Sequence, residues 1–229
     1  MHQVDNAKMN RALPVAPQIA ADLRSQILSL GLKPNTVLSR PDLQAVYKVS
    51  LTPIRDALIQ LMEEGLVRIY PQARTYVAPI SLVRAHQGHF LRSAIEFELV
   101  RRLAEERDAA LVDTLSAIVE KQKAVMSHTA FEQFDRFDRK FHWTMFSAGR
   151  MDPLWDTVRR NSGDIDRLRR LTLPRPGKME RIIEGHVAVI ASIASGDPEG
   201  AYQAMRAHLS ETLSLADQVR SANPDYFVD

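Results

Sequence analysis

The chain has 229 residues, 45% of them hydrophobic and 25% charged, with a formal net charge of +2, which is room for two modest domains with packed cores. Cysteine is absent, and that excludes a disulfide framework, a thiol nucleophile and a thiolate metal site. No run reaches the ~18 apolar residues of a membrane span and the opening "MHQVDNAKMNRALPVAPQ" lacks a secretory apolar core, so a cytoplasmic protein with no membrane partner is expected.

Residues 1–15 are polar and aperiodic and are expected to form a disordered tail. From Pro17, "IAADLRSQILSL" puts Ile19, Leu23, Ile27 and Leu30 at helical spacing before Gly31. "KPNTV" reads as a turn. "LSRPDLQAVYK" follows as a short helix with Ser39 as N-cap and Asp42 three residues later. In "VSLTPIRDALIQLMEEG" a helix start falls at Thr52-Pro53, the apolar stripe is Ile54, Leu58, Leu61 and Met62, and Gly65 ends it. "LVRIYPQARTYVAPI" then offers two β-like runs joined at "PQAR", a hairpin pattern. Three helices and a small hairpin over residues 16–79 make the order of a winged helix-turn-helix. This third is mildly basic, with nine Lys/Arg against six Asp/Glu, whereas the remainder has 21 against 22; such an asymmetry is compatible with nucleic-acid binding by the first unit.

After "APIS" six consecutive segments show three- and four-residue apolar spacing, broken at Asp108, Thr129, "GRMDP", "PRPG" and "SGDPEG". The "MDP" and "GDPEG" breaks are Asp–Pro helix starts. Residues 80–222 therefore predict an all-α six-helix bundle and residues 223–229 a C-terminal tail. The expected fold class is mainly α, a winged helix-turn-helix followed by that bundle.

The stretch from Ser50 to the wing carries Ser50, Thr52, Pro53, Arg55, Asp56, Ala57 and Leu58, then Glu64, Gly65, Leu66 and Val67. It resembles the GntR family of bacterial winged-helix regulators, and the resemblance covers the whole first unit. It implies double-stranded operator DNA as partner, read by a homodimer on a palindromic site. A recognition helix meets the major groove with its N-terminal end, where free N–H groups favour phosphate. Ser50 and Thr52 can reach phosphate there, and Arg55, one turn in, can pair bidentately with guanine. Arg40 is a phosphate or base-edge candidate and Arg74, near the hairpin tip, a minor-groove candidate. Two departures stand out: Leu51 where many members have Arg, and Ala73-Arg74 where many have a wing Gly.

In "FDRFDRKFHW" Asp138 precedes His142 by four residues, which fits both a chelating pair on one helical face and an ordinary amphipathic helix. The all-helical second domain resembles the FCD domain of the FadR branch of the family. That resemblance implies a divalent metal held by Asp138 and His142, with His186 in "EGHVAVIASIASGD" and His208 in "AMRAHL" on the last two helices. One carboxylate and three imidazoles suit zinc first, with Ni, Mn or Fe as alternatives, and leave positions for water or ligand. The neighbours Phe141, Val187 and Leu209 are apolar, so each histidine is expected to face inward. His2, His86, His89 and His128 have no ligand spacing. Arg92, four residues before Glu96, is the next candidate, able to hold a carboxylate of a small organic-acid effector; an Arg92–Glu96 helix pair is the alternative. Asn161 and Arg167 are further effector candidates. The resulting expectation is a metal-dependent, ligand-responsive regulator, by family habit a repressor. A zinc hydrolase lacks a second carboxylate placed as base or a nucleophile constellation. A purely dimerising helical domain is the other alternative.

Overall fold

The structure, a computed structural model, describes residues 10, 12–70, 74–126 and 131–228. The first unit comprises α1 (Val15–Leu28), β1 (Val37–Leu38), α2 (Arg40–Tyr47), α3 (Leu51–Glu63), β2 (Val67–Ile69) and β3 (Thr75–Val77). Ile19, Leu23 and Ile27 of α1 pack fully buried against Ile54, Leu58 and Leu61 of α3. Each such side chain withdrawn from water contributes about 1.5–3 kcal/mol. Ser39 caps α2 by accepting the Asp42 N–H, as the spacing predicted. The turn between α2 and α3 is made by Lys48 in the left-handed region, φ 55°. Helix α3 starts at Leu51 with Ser50 as N-cap, slightly earlier than the Thr52-Pro53 signal. Its C-terminal stop uses Gly65 at φ +70°, where a Cβ would also lie 2.6 Å from the Arg84 guanidinium.

The wing is larger than a hairpin. β2 and β3 pair antiparallel with Val67 opposite Val77, and β1 joins the far edge of β3. β1 occupies the end of the stretch read as a turn; two residues are too few for a period-2 pattern to register. Pro71, Gln72 and Ala73 of the tip, and most of the expected N-terminal tail, lie outside the described residues.

The connection to the second unit is β4 (Ile80–Ser81), which runs into α4 (Leu82–Glu106); α5 (Ala109–Ala124), α6 (Phe131–Ala148), α7 (Asp152–Arg160), α8 (Gly163–Thr172), α9 (Lys178–Ser195), α10 (Pro198–Ser214) and α11 (Ala216–Ala222) follow. Two of the six expected segments are thus divided. The first breaks at Asn161-Ser162, where the Ser162 hydroxyl donates to the Val158 carbonyl. Gly163 at the start of α8 passes so close to Leu66 that a Cβ would meet its Cδ2 at 2.7 Å. The second breaks at Leu215. The expected C-terminal tail is docked: after a 3₁₀ turn at Pro224–Tyr226, β5 (Phe227–Val228) pairs parallel with β4, and Asn35 Nδ2 donates to the Asp225 carbonyl. An isolated two-residue strand has no periodicity of its own, so only its partner defines it.

The helical core gathers Leu99, Leu103, Leu115, Phe134, Phe141, Phe146, Val189 and Met205. A smaller cluster of Ala85, Ile165, Leu168, Ala216 and Val219 sits beside the connection. No described helix is long and apolar enough to cross a membrane.

Candidate metal centre and nucleic-acid interface

Along α6, Asp138 and His142 fall one turn apart on the inward face, with Phe134, Phe141 and Met145 buried around them. α9 brings His186 from one side and α10 brings His208 from another. One ligand atom from each of the four lies within 4.8 Å of all the others. Asp138, His142 and His186 are buried and His208 is partly so. Phe141 stacks on the His186 ring with centroids 3.9 Å apart. Close approach of α9 and α10 depends on Gly185, where a Cβ would meet His208 Nδ1 at 2.6 Å. Val187 is exposed: an apolar neighbour in sequence lies about 100° around the helix and says nothing of the histidine's direction.

Two further helices orient the rings. His142 Nδ1 donates to Glu96 of α4 at 2.7 Å, and His186 Nδ1 donates to Gln122 Oε1 of α5 at 2.9 Å. With the protons held at Nδ1, the Nε2 lone pairs of both rings turn to the centre. There His186 Nε2 lies 3.5 Å from Asp138 Oδ1, and His208 Nε2 lies 3.3 Å from His142 Nε2. Arg169 of α8 stands 2.5 Å from Asp138 Oδ1, a charge contact without an aligned hydrogen bond. His186 Nε2 and both Asp138 oxygens are buried with no hydrogen-bond partner. With Oδ1 held by the Arg169 charge, the buried His186 lone pair and the Asp138 Oδ2, which has no cationic partner, are what a cation beside these rings would satisfy.

The electrostatics agree. Burial pushes His186 down to about 3, against the opposing pull of Asp138. Burial likewise lowers His142 despite Glu96, and lowers His208 with help from the other two rings. All three imidazoles are therefore neutral at pH 7, the form that ligates. Burial alone would raise Asp138, but Arg169 and the three rings hold it well below the usual range. Glu96 also overcomes burial, through Arg92 and His142, and falls to about 2.

Arg92 donates to Glu96 at 2.6 Å. The pair is buried at its acidic end, and Arg92 acts on His142 through Glu96. Arg167 is placed elsewhere: fully buried, it donates to the Ala78 carbonyl at 2.6 Å and to Asp164 at 2.7 Å, next to the connection between the two units. Asn161 is exposed and donates to the Thr157 carbonyl at the end of α7. Neither is among the groups at the centre. Sequence reasoning missed Gln122 and Arg169. Gln122 had a signal, a polar residue continuing the buried stripe Leu115, Ile118, Val119. Arg169 had none, being one of several arginines in "DRLRR". If these four donors hold a metal, replacing Glu96 by Ala, which removes the acceptor of the His142 Nδ1–H, is expected to weaken its affinity about 10–100-fold. Competition against a chelating dye measures it, and a change under about twofold would mean that packing alone orients His142.

In the first unit Arg40, Ser50, Thr52, Arg55 and Arg74 are all exposed. Ser50 makes no side-chain cap bond, so its hydroxyl is not consumed by the helix. Leu51 is 52% exposed beside it. Four of the five stand at the starts of α2 and α3, and Arg74 beside the tip of the wing, just before β3.

Comparison with known proteins covers both units. Residues 16–77 match the model of bacterial regulatory proteins of the gntR family, and residues 87–211 match the FCD domain. The chain is 29% identical over 220 residues to the HTH-type transcriptional repressor RspR of Escherichia coli K12, covering 96% of each. It is 31% identical over 222 residues, 97% of this chain and 91% of the other, to an HTH-type transcriptional regulator in an unstable DNA locus of Streptomyces ambofaciens. The fold is similar to that of E. coli McbR/YncC, with a TM-score of 0.76 at 19% identity over 90% of this chain and 98% of that one.

Proposed function

The chain belongs to the GntR family of bacterial regulatory proteins, a DNA-binding transcriptional regulator with an FCD domain rather than an enzyme, and from that premise we propose that a divalent metal held by Asp138, His142, His186 and His208 anchors a small organic acid that modulates operator binding. The observation that carries this reading is the convergence of one donor atom from each of the four residues within 4.8 Å, with His186 Nε2 and Asp138 Oδ2 buried and unpaired. Four protein donors leave two positions open on an octahedral Ni, Mn or Fe ion. Zinc, the first expectation from the donor set, admits a carboxylate by expanding beyond four ligands. Arg92 is the cation at hand for a second acid oxygen. Ligand must favour one arrangement of the bundle over another to change DNA affinity; binding alone shifts nothing.

The reading extends to a cytoplasmic homodimeric repressor. In α4 Val83 is 68% and Phe90 75% exposed, seven residues apart, with Phe97 another seven on; a heptad stripe of that kind suits a second copy. Ser50, Thr52 and Arg40 would take phosphates, Arg55 a guanine, and Arg74 the minor groove. Leu51 is suited to a thymine methyl.

Elemental analysis of protein purified without added metal or affinity tag tests the centre. About one equivalent of zinc, nickel, manganese or iron per chain is expected, lost in His186→Ala; none in either protein, even after soaking, would sink it. For the interface, Arg55→Ala is expected to lose about 1–3 kcal/mol and relax one base position, whereas a uniform loss across sequences would reassign Arg55 to phosphate. Operator affinity unmoved by every acid and by chelator would favour a helical domain that only dimerises.

A further inference from the structure

A groove of about 940 Å³ opens between α1 of the DNA-reading unit and helices α5–α8 of the helical domain, within the range of small-molecule sites. It is separate from the metal centre in every lining residue but one. Eight basic side chains against three acidic ones line it. Some are spent internally: Arg24 on Glu64, Arg139 on Asp135, Arg159 on Asp166. Lys121, Arg136, Lys140 and Arg170 have no acidic partner among the described residues. The chain contains two tryptophans, and both, Trp143 and Trp155, line this groove half-buried. Lys140 lies 3.7 Å over the Trp143 ring, and Arg170 lies 5.4 Å from the Phe131 ring. These cations rest on aromatic faces and retain their N–H groups for an anion.

We propose that this groove is a second ligand site, for an aromatic ring bearing a phosphate or carboxylate, gripped at once by the DNA-reading unit and the helical domain. Indole faces supply sequence-tolerant stacking for a flat ring. Guanidinium and ammonium groups supply charge-assisted hydrogen bonds to the anion. Leu28 and Ala21 of α1 close one wall, so a bound ring restrains the DNA-reading unit against α6 and α8. Arg169 lines the groove while its guanidinium stands on Asp138, giving the two sites one shared side chain.

Because both tryptophans line the groove, intrinsic fluorescence of the full-length protein reads it directly. The titrants are AMP, phenyl phosphate, benzoate, inorganic phosphate and adenosine, each with and without chelator. Saturable quenching is expected with at least one ring-bearing anion, and AMP against benzoate separates nucleotide from aromatic-acid sources. Phosphate and adenosine, each lacking half the chemistry, should bind at least about tenfold more weakly. The double variant Arg136→Ala/Arg170→Ala should lose about tenfold in affinity with an unchanged circular dichroism spectrum. Chelator and His186→Ala should leave the quenching in place, which separates this site from the metal-anchored one. No saturable change with any ring-bearing anion, undiminished binding in the double variant, or quenching abolished by chelator would each overturn the assignment.

Discussion

At pH 4.5 the chelator-stripped protein is expected to be about 2 kcal/mol less stable than at pH 6.5 through His186 alone, the slope rising to ~1.4 kcal/mol per pH unit. The sign follows from proton uptake. Well above pH 6.5, His186 is neutral both folded and unfolded and contributes little, while at pH 6.5 the unfolded ring is half protonated. Below it the unfolded imidazole binds a proton, whereas the folded ring, pushed to about 3 by burial, does not. Stability therefore falls as pH falls, until the folded ring also protonates. His142 and His208 are lowered by burial too and act in the same direction. Glu96 and Asp138 are depressed carboxylates, so their loss begins only below their unfolded values, under this window. Thermal melts with chelator at pH 7.5, 6.5, 5.5 and 4.5 measure the slope. A flat profile from 6.5 to 4.5 would mean that the rings are already hydrated. Saturating metal should raise stability across the whole window and leave the slope in place, because the slope comes from proton uptake by the unfolded ring.

Replacing Arg167 by Met is expected to cost about 3–5 kcal/mol, the usual penalty for removing one partner of a buried pair. Arg167 is 0% exposed and serves the Ala78 carbonyl and Asp164 together. Asp164 also accepts the Ser81 N–H at 3.0 Å and the Arg84 Nε–H at 2.6 Å. These groups fix the connection between wing and bundle, so the variant leaves a buried carbonyl unpaired and a carboxylate short of its second cation. The melting temperature should drop by roughly 6–20 °C at about 2–4 °C per kcal/mol. A drop worth under about 1 kcal/mol would show water replacing the guanidinium at little cost.

Much of this was legible in the chain itself. Ser50, Thr52 and Arg55 could be placed at a helix start because capping chemistry and apolar period act within a few residues. Asp138 and His142 could be put on one face for the same reason, and the family resemblance supplied His186 and His208. What the sequence did not display is the machinery that gives these residues direction. Glu96 reaches His142 across 46 residues, Gln122 reaches His186 across 64, and His208 meets His142 across 66. Arg167 and Arg169 are two residues apart in one basic run, yet one fixes the connection between units and the other guards Asp138. On a helix two residues apart means opposite-leaning faces, and the packing of α8 against its neighbours decides what each face meets. The same holds for β5, a strand only because β4 lies beside it. Helix starts, apolar faces and candidate ligands are written in short-range periodicity, which is a property of the chain alone. Ring tautomers, orphaned carboxylate oxygens and the interdomain groove arise from contacts between distant helices, and only the tertiary structure, by desolvating some of those groups and pairing others, decides them.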